Sequence, residues 1–467
     1  MADFDLIVVG GGPAGSTLAT LVAMCRYRVL LIEKKKFPRY QIGESLLPAT
    51  TNGICSLLGV NNKIKQIGFP KKLGGTFRWG KDSDFWSLNF GHSPVVGDPS
   101  DLNRVYTYQV ERAKFDEILL NNAQAKGVEV LQEHSVRDLL VENNRTVGVR
   151  FYDISGCQRT STARFVADAS GEKSRVSRFI GKRIYSKFFK NIAISCYYNG
   201  GDRLPKPNDG NTLFEAFDGG WLWYIPLSEN LTSVGAVLSK DYAYKLKGNH
   251  ENAMKHFIEA CPTINQYLGK AHRSLQEPYS DIRIRKEFSY SNSYFWKPGL
   301  VQIGDSACFI DVLLSSGVHL ATYSALLAAR SINTVLGGEK EEDRYFNEFE
   351  LRYRLEFSKF YQLLLGLYDL EKRSQTYHDW LRFWLQQTNA FSLEPFEQDI
   401  EYLAKQKRKQ GDSFRGDSFE QIDRLRSFNE KTLRTIEGPI MMEKVEPLPY
   451  TNLGLTPSPD RLYWLNV

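Results

Sequence analysis

Cysteine and histidine are scarce in this 467-residue sequence, and neither is arranged as a metal site or a disulfide framework requires. The six cysteines lie far apart without a Cys-x-x-Cys pair, and the seven histidines are scattered along the chain. These absences argue against metal ligation and against stabilisation by disulfide bonds. They favour a reducing compartment, so we expect a cytoplasmic protein without a bound metal.

A long apolar run is also missing. The stretch from Leu6 to Cys25 is uncharged, but the glycines at positions 10–12 divide it into a short strand and a helix, and no basic segment precedes it. We therefore predict neither a signal peptide nor a membrane anchor. The 60 basic and 54 acidic residues give a mild net charge of +6, without a long basic stripe interleaved with aromatic residues. Nucleic-acid binding is therefore not indicated.

The N-terminal segment has a strand–helix–strand pattern. Asp5–Val9 is predicted to be a buried strand, Ala14–Met24 a helix of small residues, and Arg28–Glu33 a second strand. The turn into the helix carries a G-x-G-x-x-G motif, with Gly10, Gly12, Pro13, Ala14 and Gly15.

Each part of this motif has a physical role in dinucleotide binding. Gly10 permits the tight turn, Gly12 lets a pyrophosphate approach the backbone, and Gly15 lets the helix and strand pack closely. The helix N-terminus offers amide hydrogens to phosphate charge, and Glu33 can accept hydrogen bonds from ribose hydroxyls. A lone glycine pattern is often only a turn, but the complete unit in register predicts a dinucleotide site. The motif does not separate FAD from NAD.

Two later segments resemble further motifs of a flavoprotein class. Asp168–Gly171 closes a predicted strand, and Gly304 and Asp305 follow the strand Leu300–Ile303. Separately, each could be a turn, but in this order they resemble the second and third flavin motifs of the aromatic-hydroxylase class. The resemblance implies FAD, with the Asp305 carboxylate beside the ribityl chain, and it places Arg112 near the cofactor.

A tryptophan pair suggests which flavoenzyme this is. Trp221 and Trp223 would point to one face of a strand, and such a pair is usually plain core. The complete stretch Gly220–Pro226, however, resembles the W-x-W-x-I-P signature of flavin-dependent halogenases, including Ile225 and Pro226. Two indoles there would form an apolar wall that shields a reactive oxidised flavin from water.

Two more segments resemble the same family, most closely its members that act on pyrroles and phenols. Gly43–Thr50 resembles the segment that follows the first flavin motif, and Phe69–Gly75 resembles the lysine segment. The resemblance makes Lys72 the essential lysine, with its neighbour Lys71 as the rival. Without the resemblance, each of the two lysines would be interpreted as an ordinary surface charge. An ammonium can polarise a hypohalous acid, and a neutral amine can form a haloamine.

The residues before a later helix suggest a halide site. Exposed amides at the start of the helix Gly317–Ile332 suit an anion, and a serine hydroxyl can add a donor. By resemblance, Ser316 and Gly317 hold the halide, while a serine here is also an ordinary helix cap. Tryptophan halogenases carry a glutamate before these serines, whereas this chain has Leu314, which disfavours free tryptophan. Many relatives have proline where Val312 follows Asp311, so we expect a differently shaped loop.

The resemblance implies a reaction. Reduced FAD and O2 form a C4a-hydroperoxide, a chloride, bromide or iodide ion attacks it to give hypohalous acid, and this species halogenates an electron-rich aromatic or heteroaromatic ring through Lys72. Glu44 either stabilises the ring intermediate or contacts the flavin. A second glycine-rich fingerprint is absent, which favours a separate NAD(P)H-dependent flavin reductase as partner. The substrate is a small aromatic molecule, either free or bound to a carrier protein. The alternatives are an aromatic hydroxylase and a flavin-binding protein without turnover.

The pattern of elements predicts an α/β fold with three parts. A Rossmann-like FAD-binding domain is expected at 1–64, 104–185 and 290–335, interleaved with a mostly antiparallel β-sheet substrate domain at 65–103 and 186–289. A C-terminal helical region follows at 336–467, with a mobile loop near 404–420 and an extended tail. Within it, apolar residues at three- and four-residue steps predict a core-facing helix stripe: Phe346, Phe349, Tyr353, Phe357, Phe360 and Leu364.

Overall fold

The computed structural model describes residues 2–79, 85–90, 106–286, 288–372 and 454–466. The strands in chain order are β1 (Phe4–Val9), β2 (Val29–Ile32), β3 (Lys71–Lys72), β4 (Gly74–Arg78), β5 (Trp86–Asn89), β6 (Thr107–Tyr108), β7 (Glu129–Leu131), β8 (Ser135–Glu142), β9 (Arg145–Tyr152), β10 (Gln158–Asp168), β11 (Arg183–Tyr185), β12 (Asn191–Asn199), β13 (Thr212–Phe217), β14 (Gly220–Pro226), β15 (Leu231–Ser239), β16 (His272–Arg273), β17 (Arg283–Lys286), β18 (Tyr290–Asn292), β19 (Trp296–Lys297), β20 (Leu300–Gln302), β21 (Cys308–Phe309), β22 (Leu455–Pro457) and β23 (Trp464–Asn466).

Helices are fewer than strands among the described residues, and the two longest, α7 and α8, follow one another. The α-helices are α1 (Pro13–Ala23), α2 (Cys55–Leu58), α3 (Asn61–Ile67), α4 (Arg112–Ala125), α5 (His250–Glu259), α6 (Pro262–Tyr267), α7 (Ser316–Leu336) and α8 (Glu342–Lys372). A π-helical segment spans Ala49–Ile54, and short 3-10 helices span Ser177–Phe179, Lys240–Leu246 and Gly304–Ser306. Among the described helices, none is long and apolar enough to cross a membrane.

A largely parallel sheet positions the N-terminal motifs. Its central strands run in the order β20, β10, β1, β2 and β7, all parallel to their neighbours. Val9 at the end of β1 is level with Asp168 and with Ile32, and Asp168 is level with Gln302. Because the carboxyl ends of parallel strands meet at one edge, the loops that follow these strands converge there.

A second, mostly antiparallel sheet covers the other side of the site. Its order is β16, β12, β15, β14, β13, β4 and β5, with β17 also paired to β12. Strand β14 is buried along its whole length. Side chains alternate along it, so Trp221 and Trp223 join the large core, while Leu222 and Tyr224 pack in a separate cluster with residues of α5 and α6. The predicted α/β fold class is confirmed.

Two long helices complete the described core. The apolar stripe predicted from Phe346 to Leu364 lies on α8, and all six of its residues are buried. Helix α7 packs against both α1 and α8. The small residues that fill α7 allow this close approach, because they leave room for neighbouring backbones.

The C-terminal residues 454–466 form a two-stranded hairpin, β22 with β23. The region after residue 336, for which the sequence predicted helix and an extended tail, therefore also contains strands. The backbone N–H of Trp464 donates to Thr334 Oγ1 (2.9 Å) and its indole to Ser331 Oγ (3.1 Å), which fixes the hairpin on α7. The mobile loop predicted near 404–420 lies outside the described residues.

Candidate active site

A cavity of about 1160 Å³ lies between the two sheets. Its lining includes the glycine turn before α1 and Glu33, and also Trp221, Trp223 and the residues that lead into α7. Segments about 300 positions apart in sequence therefore contribute to one cavity.

The glycine turn has the close approaches that the motif requires. Gly10 has a φ of +108°, and a Cβ there would lie 2.5 Å from the Ala169 carbonyl oxygen. A Cβ on Gly15 would lie 1.9 Å from the Gly10 carbonyl oxygen, so a side chain cannot fit between helix and strand. At Gly12 the nearest atom to an added Cβ is 3.4 Å away, on Arg39. Gly12, Pro13 and Ala14 line the cavity, and the open N-terminus of α1 can therefore accept a phosphate group.

Glu33 is buried and lines the cavity. Its carboxylate accepts hydrogen bonds from the backbone N–H of Gly11 (2.7 Å) and of Lys35 (2.9 Å). These bonds hold the side chain beside the glycine turn. A carboxylate has further lone pairs, so hydroxyl donors in the cavity can still be accepted.

Asp168 and Gly304 stand behind the cavity wall. The Asp168 carboxylate is fully buried and accepts from Ser170, Ser174 and Gln302. It shapes the turn whose next residues line the cavity, and it does not line the cavity itself. Gly304 lies between α1 and α7, where an added Cβ would meet Ala14 at 3.1 Å.

Asp305, in the 3-10 helix Gly304–Ser306, and Arg112, the first residue of α4, both line the cavity. Burial raises the pKa of the Asp305 carboxyl group above its ordinary value, and Arg285 and Arg112 partly offset this effect. The Arg112 guanidinium binds Asp116 through Nε (2.8 Å) and Nη2 (2.9 Å), and donates from Nη1 to the Ile42 carbonyl oxygen (2.8 Å). Arg112 thus fixes the segment that contains Gly43 and Glu44.

The tryptophan pair forms one wall of the cavity. The rings of Trp221 and Trp223 lie on the same face of β14 with centroids 6.1 Å apart, and Ile225 continues this face. Both indole N–H groups are satisfied: Trp221 donates to Tyr368 (2.9 Å) and Trp223 to Ser233 (3.2 Å). Pro226, at the end of the strand, does not line the cavity.

Lys72 is buried, with 4% of its surface exposed. Its Nζ donates to the Leu46 carbonyl oxygen (3.0 Å) and to Ser315 Oγ (3.2 Å), and lies 5.4 Å from the centre of the Phe90 ring. Burial lowers the pKa of Lys72 to about 7, with no compensating charge among the described residues. The amine can therefore be neutral near neutral pH.

Lys71 has the opposite environment. It is exposed, and its Nζ lies 4.6 Å from the centre of the Tyr106 ring. Adjacent residues on a strand point to opposite sides, and β3 pairs with β6 so that Lys72 faces inward. Lys72 does not itself line the cavity, but its Nζ contacts Ser315, which does. Of the two rival lysines, Lys72 is the one with a buried side chain.

The segment 310–315, which we call the serine loop, connects β21 to α7. Ser315 occupies the N-cap position with a φ of 56°, but its side chain makes no capping hydrogen bond. Its hydroxyl contacts Lys72 instead. Ser316 and Gly317 follow at the cavity wall, and a Cβ on Gly317 would lie 3.2 Å from the Phe309 ring. The first amides of α7 therefore have no side-chain cap and are available to an anion.

A buried polar network that the sequence did not indicate supports the serine loop. Asp311 accepts from Asn191 (3.2 Å), from Tyr368 (3.1 Å) and from the backbone N–H of Leu313 (3.0 Å). Burial raises the pKa of the Asp311 carboxyl group to about 6. The only sequence signal for Tyr368 is its position four residues after Leu364, which places a hydroxyl on an apolar helix face.

A second network surrounds Glu44, whose carboxyl group is buried and lines the cavity. It accepts a 2.6 Å hydrogen bond from the Tyr197 hydroxyl, which in turn lies 2.9 Å from the Tyr40 hydroxyl. Burial raises the pKa of Glu44 to about 7, against the opposing effects of Tyr197, Arg112 and Arg283. Tyr40 and Tyr197 are also residues that the sequence did not indicate.

Comparison with known proteins gives consistent matches. The family model described as tryptophan halogenase matches residues 5–105 and 98–425. Tryptophan 2-halogenase of Chondromyces crocatus is 34% identical over 82% of this chain and 70% of that protein. The 1H-pyrrole-2-carbonyl-(peptidyl-carrier protein) chlorinase of Pseudomonas fluorescens is 30% identical over 91% of this chain and 92% of its own length. The structure of the myxobacterial chondrochloren halogenase, described as a new variant of FAD-dependent halogenases, matches with a TM-score of 0.79 and 45% identity over 99% of both chains.

Proposed function

The chain belongs to the tryptophan halogenase family of flavin-dependent enzymes, and from this premise we propose that it halogenates an electron-rich aromatic or heteroaromatic ring through Lys72. The reaction consumes reduced FAD, O2 and a halide ion. The observation that carries the proposal is the partly buried hydrogen bond from Lys72 to Ser315. It joins the only inward-facing lysine of β3 to the loop that leads to Ser316 and Gly317.

FAD fits the residues around the glycine turn before α1. The turn at Gly10, Gly12 and Gly15 leaves room for a pyrophosphate, and Glu33 stands where a ribose can donate to it. Arg112 and Asp305 would face the rest of the cofactor, while Asp168 and Gly304 support its binding from behind the cavity wall. When bound in its reduced form, FAD supplies with O2 the two-electron oxidation of a halide ion to hypohalous acid.

The halide ion is proposed to bind where α7 begins. The uncapped amides at Ser316 and Gly317 can donate to an anion, and the helix dipole favours negative charge there. Val312 occupies the position where many relatives carry proline, so the preference among chloride, bromide and iodide is a property to be tested.

Lys72 is proposed to hold the oxidised halogen next to the ring. With a pKa of about 7, the side chain can supply either a neutral amine, which forms a haloamine, or an ammonium, which donates a hydrogen bond to hypohalous acid. Its bonds to Leu46 and Ser315 fix the direction of Nζ. Trp221 and Trp223 would exclude water and keep the ring apart from the flavin.

Partners and substrate follow from the same premise. We propose that a separate NAD(P)H-dependent flavin reductase supplies reduced FAD. The names of two relatives indicate tryptophan and a carrier-bound pyrrole carbonyl as substrates of those proteins. The residue directly before Ser315 and Ser316 is Leu314 and not a glutamate, which favours a pyrrole, a phenol or a carrier-bound ring over free tryptophan.

A product assay tests the proposal. The protein is incubated with FAD, NADH, a flavin reductase, bromide and a panel of phenols, indoles and pyrroles, free and carrier-bound, and products are identified by mass spectrometry. A brominated ring that requires the reductase supports halogenation. A hydroxylated ring, or NADH oxidation by this protein without the reductase, would identify a hydroxylase instead. FAD binding without any product would favour a protein without turnover.

A further inference from the structure

We propose that the Tyr368 hydroxyl is a positioning group that fixes the serine loop (residues 310–315) against the tryptophan wall, and thereby sets the geometry of halide delivery to Lys72. The inference rests on the proposed function. Tyr368 lies on the last described turns of α8, more than fifty residues after the serine loop in sequence. It belongs to none of the motifs by which the site was predicted.

The Tyr368 hydroxyl connects three separate elements. It accepts from the Trp221 indole N–H on β14 (2.9 Å) and from the Asn191 amide on β12 (3.1 Å), and it donates to Asp311 Oδ2 on the serine loop (3.1 Å). A hydroxyl has one proton and two lone pairs, so these three bonds use its capacity completely. The hydroxyl and its three partners are buried, and water does not replace a lost bond easily there.

The same contacts continue to the reacting lysine. The other oxygen of Asp311 accepts from the Leu313 backbone N–H (3.0 Å), which sets the turn of the serine loop. Two residues later, Ser315 Oγ lies 3.2 Å from Lys72 Nζ. A continuous set of hydrogen bonds and short backbone therefore links the tryptophan wall to both the start of α7 and Lys72.

Removal of this hydroxyl has a specific expected effect. In Tyr368→Phe, the Trp221 N–H loses its acceptor, and Asp311 Oδ2 keeps only Asn191 as a side-chain donor. A buried donor or acceptor without a partner favours rearrangement, and the serine loop is the element that can move. The three described hydrogen-bond partners of the Tyr368 hydroxyl, Trp221, Asn191 and Asp311, do not belong to the glycine turn that would bind FAD, so FAD binding should be unaffected.

Tyr361 offers a matched control on the same helix. Its ring is fully buried and contacts Phe189 with centroids 5.0 Å apart, as the Tyr368 ring does at 5.3 Å. Its hydroxyl, however, lies 3.1 Å from Ser186 Oγ, and Ser186 belongs to neither the serine loop nor the tryptophan wall. Tyr361→Phe therefore removes a buried hydroxyl of α8 that has a different partner from the Tyr368 hydroxyl.

The test combines a measurement without cofactor and one with turnover. Hydrogen–deuterium exchange of the cofactor-free protein should show about fivefold faster exchange at residues 310–318 in Tyr368→Phe, and no change there in Tyr361→Phe. In turnover with the reductase, Tyr368→Phe should raise the halide KM about tenfold, the effect of one lost buried hydrogen bond. The FAD Kd and the KM for the aromatic substrate should stay within about twofold of the wild-type values in both variants.

The outcomes separate the inference from the proposed function. If Tyr368→Phe and Tyr361→Phe behave alike in exchange and in halide KM, the positioning role is wrong, even when the wild-type protein halogenates. If the wild-type protein makes no halogenated product, the proposed function is wrong, while the exchange data still decide whether Tyr368 anchors the loop. If Tyr368→Phe does not fold, Asn191→Ala removes a neighbouring donor from Asp311 and is expected to produce the same exchange and KM changes in smaller measure. Unchanged values in that variant would contradict the inference.

Discussion

Lys72 Nζ lies 3.2 Å from Ser315 Oγ, a contact between residues 243 positions apart in the chain. Ser315 occupies the N-cap position of α7, but its side chain makes no capping hydrogen bond. Its hydroxyl oxygen instead accepts a hydrogen bond from Lys72 Nζ. The lysine is thus fixed in direction, while the first amides of α7 keep their capacity to bind an anion. Two properties that the proposed reaction needs arise from the same pair of residues.

The burial of Lys72 predicts a stability that depends on pH. Its pKa is near 7 in the folded chain and 10.5 unfolded, so the unfolded state binds the extra proton between these values. Folding stability should therefore rise from pH 7 toward pH 10, and below pH 7 the full cost of burying the charge remains. That cost is on the order of 5 kcal/mol.

Lys72→Met removes this charge at similar side-chain length. Its unfolding midpoint in urea should exceed that of the wild-type protein at pH 6, and the difference should shrink at pH 9. Lys71→Met, at the exposed neighbouring position, should show no such pH-dependent difference. Equal stability of Lys72→Met and the wild-type protein at both pH values would mean that Lys72 is solvated and not buried.

Alanine substitutions at Gly15 and Gly12 should affect different properties, the folding stability in one case and the FAD affinity in the other. Gly15→Ala places a Cβ 1.9 Å from the Gly10 carbonyl oxygen, so we expect a loss of folding stability of several kcal/mol, on the order of an overpacked core. Gly12→Ala meets nothing closer than 3.4 Å and should fold normally. Its methyl group would occupy the space of a pyrophosphate, and FAD affinity should fall at least about tenfold. Titration of FAD fluorescence checks this, and unchanged affinity in Gly12→Ala would contradict the proposed cofactor position.

The raised pKa of Glu44 predicts a second pH dependence of folding stability. Its folded pKa is about 7 against an ordinary 4.5, so the folded state holds a proton that the unfolded state releases between these values. Its contribution to stability is therefore lost as pH rises from 4.5 to 7. Glu44→Gln lacks this loss and keeps an oxygen for Tyr197, so its Tm relative to the wild-type protein should be higher at pH 8 than at pH 5. The exposed Glu229→Gln serves as the control, and a parallel response of both variants would show that burial does not shift the Glu44 pKa.

Ser315, in the serine loop, and Ser316, the first residue of α7, should have different roles. Ser315→Ala removes one of the two hydrogen bonds of Lys72 and should lower kcat for ring halogenation about tenfold, with little change in halide KM. Ser316→Ala should act mainly on halide KM, because Ser316 is proposed to bind the anion. Steady-state kinetics at varied bromide distinguish the two. The same KM and kcat changes in both variants would argue against separate roles.

Sequence patterns predicted the local elements well, because periodicity and glycine spacing are local properties. The first strand, helix and second strand lie within one or two residues of their predicted bounds. The apolar stripe on α8 is buried as predicted. The single-face placement of Trp221 and Trp223 followed from strand alternation alone.

What the sequence could not predict depends on long-range packing. The burial that lowers the Lys72 pKa arises from Leu46, Phe90 and Ser315, which come from three distant segments. Asp168 has the predicted place at a strand end, yet its hydrogen bonds turn its carboxylate away from the cavity. Tyr368 appeared only as one more aromatic residue on an apolar face, and its role emerges only when β12, β14 and the serine loop are assembled around it.

The central claim is that Lys72 transfers the halogen, and one comparison tests it most directly. Wild-type protein, Lys72→Met and Lys71→Met are supplied with reduced FAD, O2 and bromide, and brominated ring and released hypobromous acid are quantified together. We predict that Lys72→Met binds FAD and oxidises bromide as the wild-type protein does, while ring bromination falls at least about 100-fold, a loss of transition-state stabilisation of some 3 kcal/mol. Lys71→Met should retain bromination. Bromination by Lys72→Met at the wild-type rate would contradict the account.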